Sequence, residues 1–123
     1  MDKTELKKRT QKFSIDILKF IETLPNRRAL NVLSNQLLRS ATSVGANYRS
    51  ACKGKSSADF INKITICEEE ADESIYWLDL MIESELVNSS ILPTLKKEAT
   101  ELTAIFTAIG KTSKENQRKN KNK

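Results

Sequence analysis

RSATSVGANYRSA, residues 39–51, holds the pattern that decides the fold. Ala41, Val44, Tyr48 and Ala51 follow one another at spacings of three, four and three, and the series runs back through Leu37, Leu33 and Leu30. Residues so spaced share one face of an α-helix, and an apolar face is a core face. A second row in the same rhythm, Gln36, Ser40, Ser43, Asn47 and Ser50, is polar and mostly small. A third holds Arg39, Thr42, Ala46, Arg49 and Lys53. One helix therefore presents three different surfaces.

This helix is expected from Arg28 to Cys52, stopping near Gly54, a residue suited to the left-handed angles of a helix C-cap. Gly45 lies in its interior, where glycine costs about 1 kcal/mol relative to alanine. With Ala41 a turn earlier it forms either a smooth notch for a neighbouring backbone or a break over residues 43–46. The unchanged apolar phase on both sides favours the notch.

Three further helices follow from the same reasoning. Leu6, Phe13, Ile17, Phe20, Ile21 and Leu24 make an apolar stripe that Pro25-Asn26 terminates. Ser56 or Ser57 caps a third helix, with Asp59 three positions after Ser56 in the manner of a capping box. Its main row is Phe60, Ile64, Cys67, Ala71, Ser74, Leu78 and Met81. Ile66, Trp77 and Leu80 extend the apolar surface onto a flank shared with Glu70 and Glu73, which implies a second contact surface. Leu92, Leu95, Ala99, Leu102, Phe106 and Ile109 form the fourth helix, with Gly110 closing it. The segment KTSKENQRKNKNK, residues 111–123, has no apolar residue and reads as a disordered basic tail. The expected fold is all-α, an up-down-up-down four-helix bundle over residues 1–110 followed by that tail.

Composition narrows the chemistry. The 123 residues contain no histidine, which removes the usual general base, the commonest metal ligand and the physiological pH switch. Two cysteines, Cys52 and Cys67, make no zinc pattern and read as reduced thiols of a cytoplasmic protein. No apolar run reaches the ~20 residues of a membrane span. Residues 1–55 hold 12 basic and 4 acidic side chains, whereas residues 56–88 hold Lys63 against nine acids. The two halves are electrostatic complements.

The acidic run Glu68 to Glu73 suggests carboxylate metal ligation, but bundle metal sites of that kind draw histidines and further acids from facing helices. The alternative is that Glu69, Glu70 and Glu73 meet Arg39, Arg49 or Lys63, within a subunit or across an interface. No serine has a basic partner at a suitable helix start, and no phosphate-binding glycine loop is present, so no catalytic, cofactor-binding or metal-binding residue is assigned. Trp77 beside Tyr76 reads as core, as subunit interface or as the wall of a ligand pocket. The tail cations Lys111, Lys114, Arg118, Lys119, Lys121 and Lys123, with the lysines of the first helix, form either a nucleic-acid footprint or a solubilising extension. Aromatic interleaving is absent, so base stacking is not expected.

The strings QLLRSATSVGANYRSA and SSADFINKITICEEEADESIYWLDLM resemble the four-helix-bundle family encoded by intervening sequences of bacterial large-subunit ribosomal RNA genes, some members of which are labelled ribosomal protein S23. Arg39, Ser43, Asn47 and Arg49 stand at family-typical places, as do Lys63, Glu70, Glu73 and Trp77, while Cys67 and Glu69 depart from the pattern. The resemblance implies a ring-like homopentamer without catalytic residues. It extends in shape to accessory proteins of diversity-generating retroelements, basic pentamers that bind nucleic acid and a reverse transcriptase. The resulting expectation is a non-enzymatic homo-oligomer that contacts RNA or a ribonucleoprotein, with Arg39, Ser43, Asn47, Arg49, Ile66, Glu70, Glu73, Trp77 and Leu80 at subunit contacts. Its rival is a protein-interaction scaffold that binds no nucleic acid.

Overall fold

The computed structural model describes residues 1–121, and among these every regular element is a helix. Helix α1 spans Lys3–Glu22, α2 Arg28–Cys52, α3 Ser57–Glu83 and α4 Ile91–Lys121. Asp2 starts α1 by accepting from the Glu5 amide at 2.8 Å, and Ser56 starts α3 by accepting from the Asp59 amide at 3.1 Å. Each side-chain oxygen satisfies a backbone donor that the helix itself leaves unpaired. Pro93 falls in the first turn of α4, where its missing N–H costs nothing.

Contacts run in a cycle, α1 with α2, α2 with α3, α3 with α4 and α4 back to α1. Ser14 Oγ donates to the Ala41 carbonyl at 3.1 Å, Ser40 and Ser74 hydroxyls meet at 2.8 Å, Asp79 pairs with Lys96 at 2.7 Å, and Arg9 pairs with Glu98 at 2.6 Å. The interior is filled by Phe13, Ile17, Leu37, Val44, Ile64, Leu78, Met81, Leu102 and Phe106. Tyr48 and Phe106 tilt against each other across it, ring centroids 5.7 Å apart. Ala41, Ala71 and Ala99, all fully buried, thin the helix surfaces where backbones approach.

Several expectations need correction. Gly110 does not close α4, and residues 111–121 are helical rather than disordered. A β-carbon at Gly110 would stand 3.7 Å from Ile64 Cγ2, so this glycine is packed against α3 rather than acting as a cap. Beyond it the segment is rich in Lys, Glu, Gln and Arg, which are good helix formers. Ser113 and Gln117 stay half-buried, facing Ser57, Phe60 and Ile61. Lys123, at the end of the expected tail, lies outside the described residues.

Gly54 does not adopt left-handed angles, and Glu85 is the one described residue outside glycine with a positive φ, 58°. What disfavours a side chain at Gly54 is crowding: a β-carbon would come within 2.8 Å of the Asp59 carboxylate, which would have to turn aside, and 3.0 Å of the Ala51 carbonyl. At Gly45 the notch reading holds, since Thr10 of α1 packs against it and α2 is continuous. Ser40, assigned by spacing to a polar surface row, is fully buried against α3.

Candidate nucleic-acid and subunit-contact surfaces

Two polar surfaces flank α2. On its α3 side, Arg39 bonds Glu70 at 3.1 Å and also meets Glu73, whose Oε2 accepts from Trp77 Nε1 at 3.1 Å. Residues 70, 73 and 77 recur at spacings of three and four on α3, so one arginine from α2 spans a full turn of carboxylates. Tyr76 adds an edge contact to Trp77, with centroids 5.0 Å apart, and remains exposed. A turn away, Asn47 Nδ2 donates to Ser43, both to its carbonyl at 2.9 Å and to its hydroxyl at 2.8 Å. Ile66 and Leu80 are half-buried on the α3 flank.

Of the expected subunit-contact residues, the structure thus joins Arg39, Glu70, Glu73 and Trp77 in one cluster and pairs Ser43 with Asn47. It separates Arg49, which faces α1. Glu69 and Lys63 form no ion pair among the described residues. The acidic run is therefore partly neutralised from within the chain. No group of three or more His, Cys, Asp or Glu side chains among the described residues is arranged to hold a metal ion.

On the α1 side of α2, Arg49 and Lys53 face Thr4, Lys7, Lys8 and Gln11 across a groove of about 270 Å³. The groove continues toward Ser14 and Ile15 over the small residues Gly45 and Ala46. No carboxylate lines either part.

The α4 cations lie at the same end of the molecule. Lys3 Nζ sits 6.0 Å from the ring centroid of Phe60, which places the start of α1 beside the first turn of α3. The last turns of α4 flank that turn, enclosing about 280 Å³ between Ser56, Ser57, Ser113 and Asn120. Lys111, Lys114, Arg118, Lys119 and Lys121 are exposed there and form no ion pair among the described residues. Cations near a helix C-terminus also complement the helix dipole, which helps α4 run on this far.

The sequence reading missed the ties that set helix positions. Arg9 grips Glu98 with both Nε and Nη2, at 2.9 and 2.6 Å, and reaches Glu101 at 3.2 Å. The Glu98 contact holds the Arg9 guanidinium above its ordinary pKa despite partial burial. The bond to Asp79 likewise raises Lys96. Thr10 continues the apolar row of α1, and its hydroxyl is satisfied by the Leu6 carbonyl at 2.9 Å. Burial, then the neighbouring Cys52, pushes the Cys67 thiol up to about 12, which leaves it neutral and unreactive at ordinary pH. Burial also raises Tyr48 above its usual value.

Residues 2–108 match the family model described as 23S rRNA-intervening sequence protein. Among solved structures the chain is similar to a protein of unknown function from the S23 ribosomal protein family of Bacteroides thetaiotaomicron. The two share 36% identity at a TM-score of 0.82, over 90% of this chain and 99% of the other. No curated protein matches the chain by sequence. No described helix is long and apolar enough to cross a membrane.

Proposed function

This chain belongs to the 23S rRNA-intervening sequence protein family, and from that premise we propose that it is a non-enzymatic cytoplasmic homo-oligomer that contacts RNA through the basic last turns of α4. The observation that carries the reading is the set of unpaired cations on residues 111–121, held on a helix rather than spread along a loose chain. Cations fixed on a helix form a phosphate-binding surface with little conformational entropy left to lose on binding. The subunit is an up-down-up-down bundle, a topology supported by numbering that runs oppositely along each contacting pair. Ser14 meets Ala41 and Thr10 meets Gly45, Ser40 meets Ser74 and Val44 meets Cys67, Asp79 meets Lys96 and Ile64 lies by Gly110, and Arg9 meets Glu98 while Lys19 lies by Ile91.

Assembly into a ring, pentameric by family resemblance, is supported by unspent apolar surface. Ile15, Leu18, Val32, Tyr76 and Ile91 are all exposed by two-fifths or more. Complementary charge on the two halves of the chain favours head-to-tail contacts, which close into rings when the rotation permits. Trp77 and the half-buried Ile66 and Leu80 lie on the α3 flank assigned to a subunit contact.

The test is RNA affinity at several salt concentrations, with mass by light scattering in the same buffers. Engagement of single-stranded RNA by all six basic residues of positions 111–123 gives a slope of log affinity against log salt of roughly −4. Deleting this segment would strip packed turns from α4, so charge removal at Lys114, Arg118, Lys119 and Lys121 by glutamine is the cleaner variant. It should flatten the log–log slope by about 2.8, for four lost phosphate contacts. An oligomer that binds no RNA even at low salt would instead support a protein-interaction scaffold.

A further inference from the structure

We infer that the α1–α2 groove is a second nucleic-acid site, one that takes the phosphate backbone of a single strand between Lys7 and Lys8 on one wall and Arg49 and Lys53 on the other. This deepens the RNA-facing reading above and rests on it, but it assigns a surface separate from α4.

Charge bookkeeping along the bundle points here. Where cations meet acids in this protein they pair: Arg9 with Glu98, Lys12 with Asp16, Arg39 with Glu70 and Lys96 with Asp79. The four groove cations form no ion pair among the described residues, although they come from two helices and face a common space. Unpaired like charges held together repel one another, so an anion entering the groove gains from all of them at once.

The shape suits an extended anion. From Thr4 to Ile15 the groove follows α1 for about 16 Å at 1.5 Å per residue, long enough to seat several successive phosphates of one strand. Its floor between the basic end and Ile15 is made of Gly45, Ala46 and Ser14, side chains too small to obstruct a chain lying along it. Thr4 and Gln11 add hydrogen-bonding groups for phosphate or ribose oxygens. No aromatic side chain lines it, so binding there is independent of base sequence.

The experiment is fluorescence anisotropy of full-length protein with a labelled single-stranded RNA 20-mer of mixed sequence, over a salt series, with mass and thermal unfolding recorded for each variant. Arg49→Ser with Lys53→Ser should leave mass and melting unchanged, weaken binding roughly tenfold near physiological salt and flatten the log–log slope by about 1.4, for two lost phosphate contacts. Lys7→Ser with Lys8→Ser on the opposite wall repeats the measurement should the first pair fold poorly. Lys19→Ser with Lys97→Ser, exposed cations toward the other end of the bundle, should change affinity far less. An equal loss in that control pair overturns the proposal, because net charge then explains the effect. A fall in mass in the groove variants overturns it in favour of the acidic face of a second copy as the occupant. Wild-type protein that binds RNA with groove variants that bind equally well removes this site alone, whereas wild-type protein that binds none removes the premise as well.

Discussion

Helix α2 carries arginine on two edges, and the two edges have opposite fates. Arg39 lies against α3 with Glu70 and Glu73 around it, and just inside it the Ser40 and Ser74 hydroxyls bond at 2.8 Å within a sealed seam. Arg49 lies against α1, where the facing groups are Lys7, Lys8 and Thr4. The sequence distance between the two arginines is ten residues and their chemistry is the same. What differs is the neighbour: α3 brings the acids of residues 68–73, and α1 brings lysines. A polar row on a helix is thus a structural tie or a free surface according to which helix packs beside it, and only the former should register in stability.

The largest expected effect is on the sealed side. Leu78 is fully buried on the inner face of α3, and Leu78→Ala should lower the unfolding free energy by about 2–5 kcal/mol in urea melts, through lost burial plus a cavity. A loss below about 1 kcal/mol would mean that the seam collapses easily and that the contrast with the open groove is overdrawn.

Next in size is a pH effect on the same seam. The Cys67 thiol donates to the Val44 carbonyl at 3.5 Å and is held neutral up to about 12, against an ordinary value of 9.0. Between those values the unfolded chain releases a proton that the folded chain keeps, so the unfolded state binds fewer protons and stability falls as pH rises. The slope from this one group is at most about 1.4 kcal/mol per pH unit. Urea melts from pH 9 upward should therefore fall more steeply for wild type than for Cys67→Ala, whatever the variant's starting stability. Parallel curves would show that the thiol is not sealed as the α2–α3 packing implies.

The two helical glycines come third. A β-carbon at Gly110 meets nothing nearer than 3.7 Å, and one at Gly45 meets Thr10 Oγ1 at 3.4 Å. Alanine should fit at both and raise stability by up to about 1 kcal/mol each, by thermal or urea unfolding, because glycine loses more freedom in a helix. Gly54→Ala should do the opposite, since it crowds Asp59 and the Ala51 carbonyl. A gain at Gly54 would contradict the close approach on which the α2–α3 turn depends.

Gly110 also marks where the sequence ceased to be readable. Apolar spacing located all four helices because burying an apolar stripe is what holds each helix in the bundle. It was blind to the last turns of α4, where the half-buried side chains that face the start of α3, Ser113 and Gln117, are polar. Thr10 was legible by position, four after Leu6 and three before Phe13, but not by residue type. Ser40 belonged by spacing to a surface row, and only its partner Ser74 on α3 explains why it is buried. The basic groove was half visible: a lysine-rich first helix stood out in the charge count, whereas its meeting with Arg49 and Lys53 depends on which edge of α2 faces α1.

The smallest effect separates the two arginines directly. Removing Arg39 leaves Glu70, with its side chain only 20% exposed, beside Glu73 without a counter-charge. Arg39 itself is half exposed, so solvent screens the pair and Arg39→Met should cost no more than about 1 kcal/mol in urea unfolding. Arg49→Met removes no partner and relieves repulsion from Lys7 and Lys8, so its effect should stay within about 0.5 kcal/mol of zero and lean toward stabilisation. Combining each with Glu73→Gln sharpens the difference. The Arg39 cycle should return a measurable coupling, because the two groups share a contact, and the Arg49 cycle should be additive. Coupling between Arg49 and Glu73 would place Arg49 in the α3 cluster after all, and the groove would then lose one of its walls.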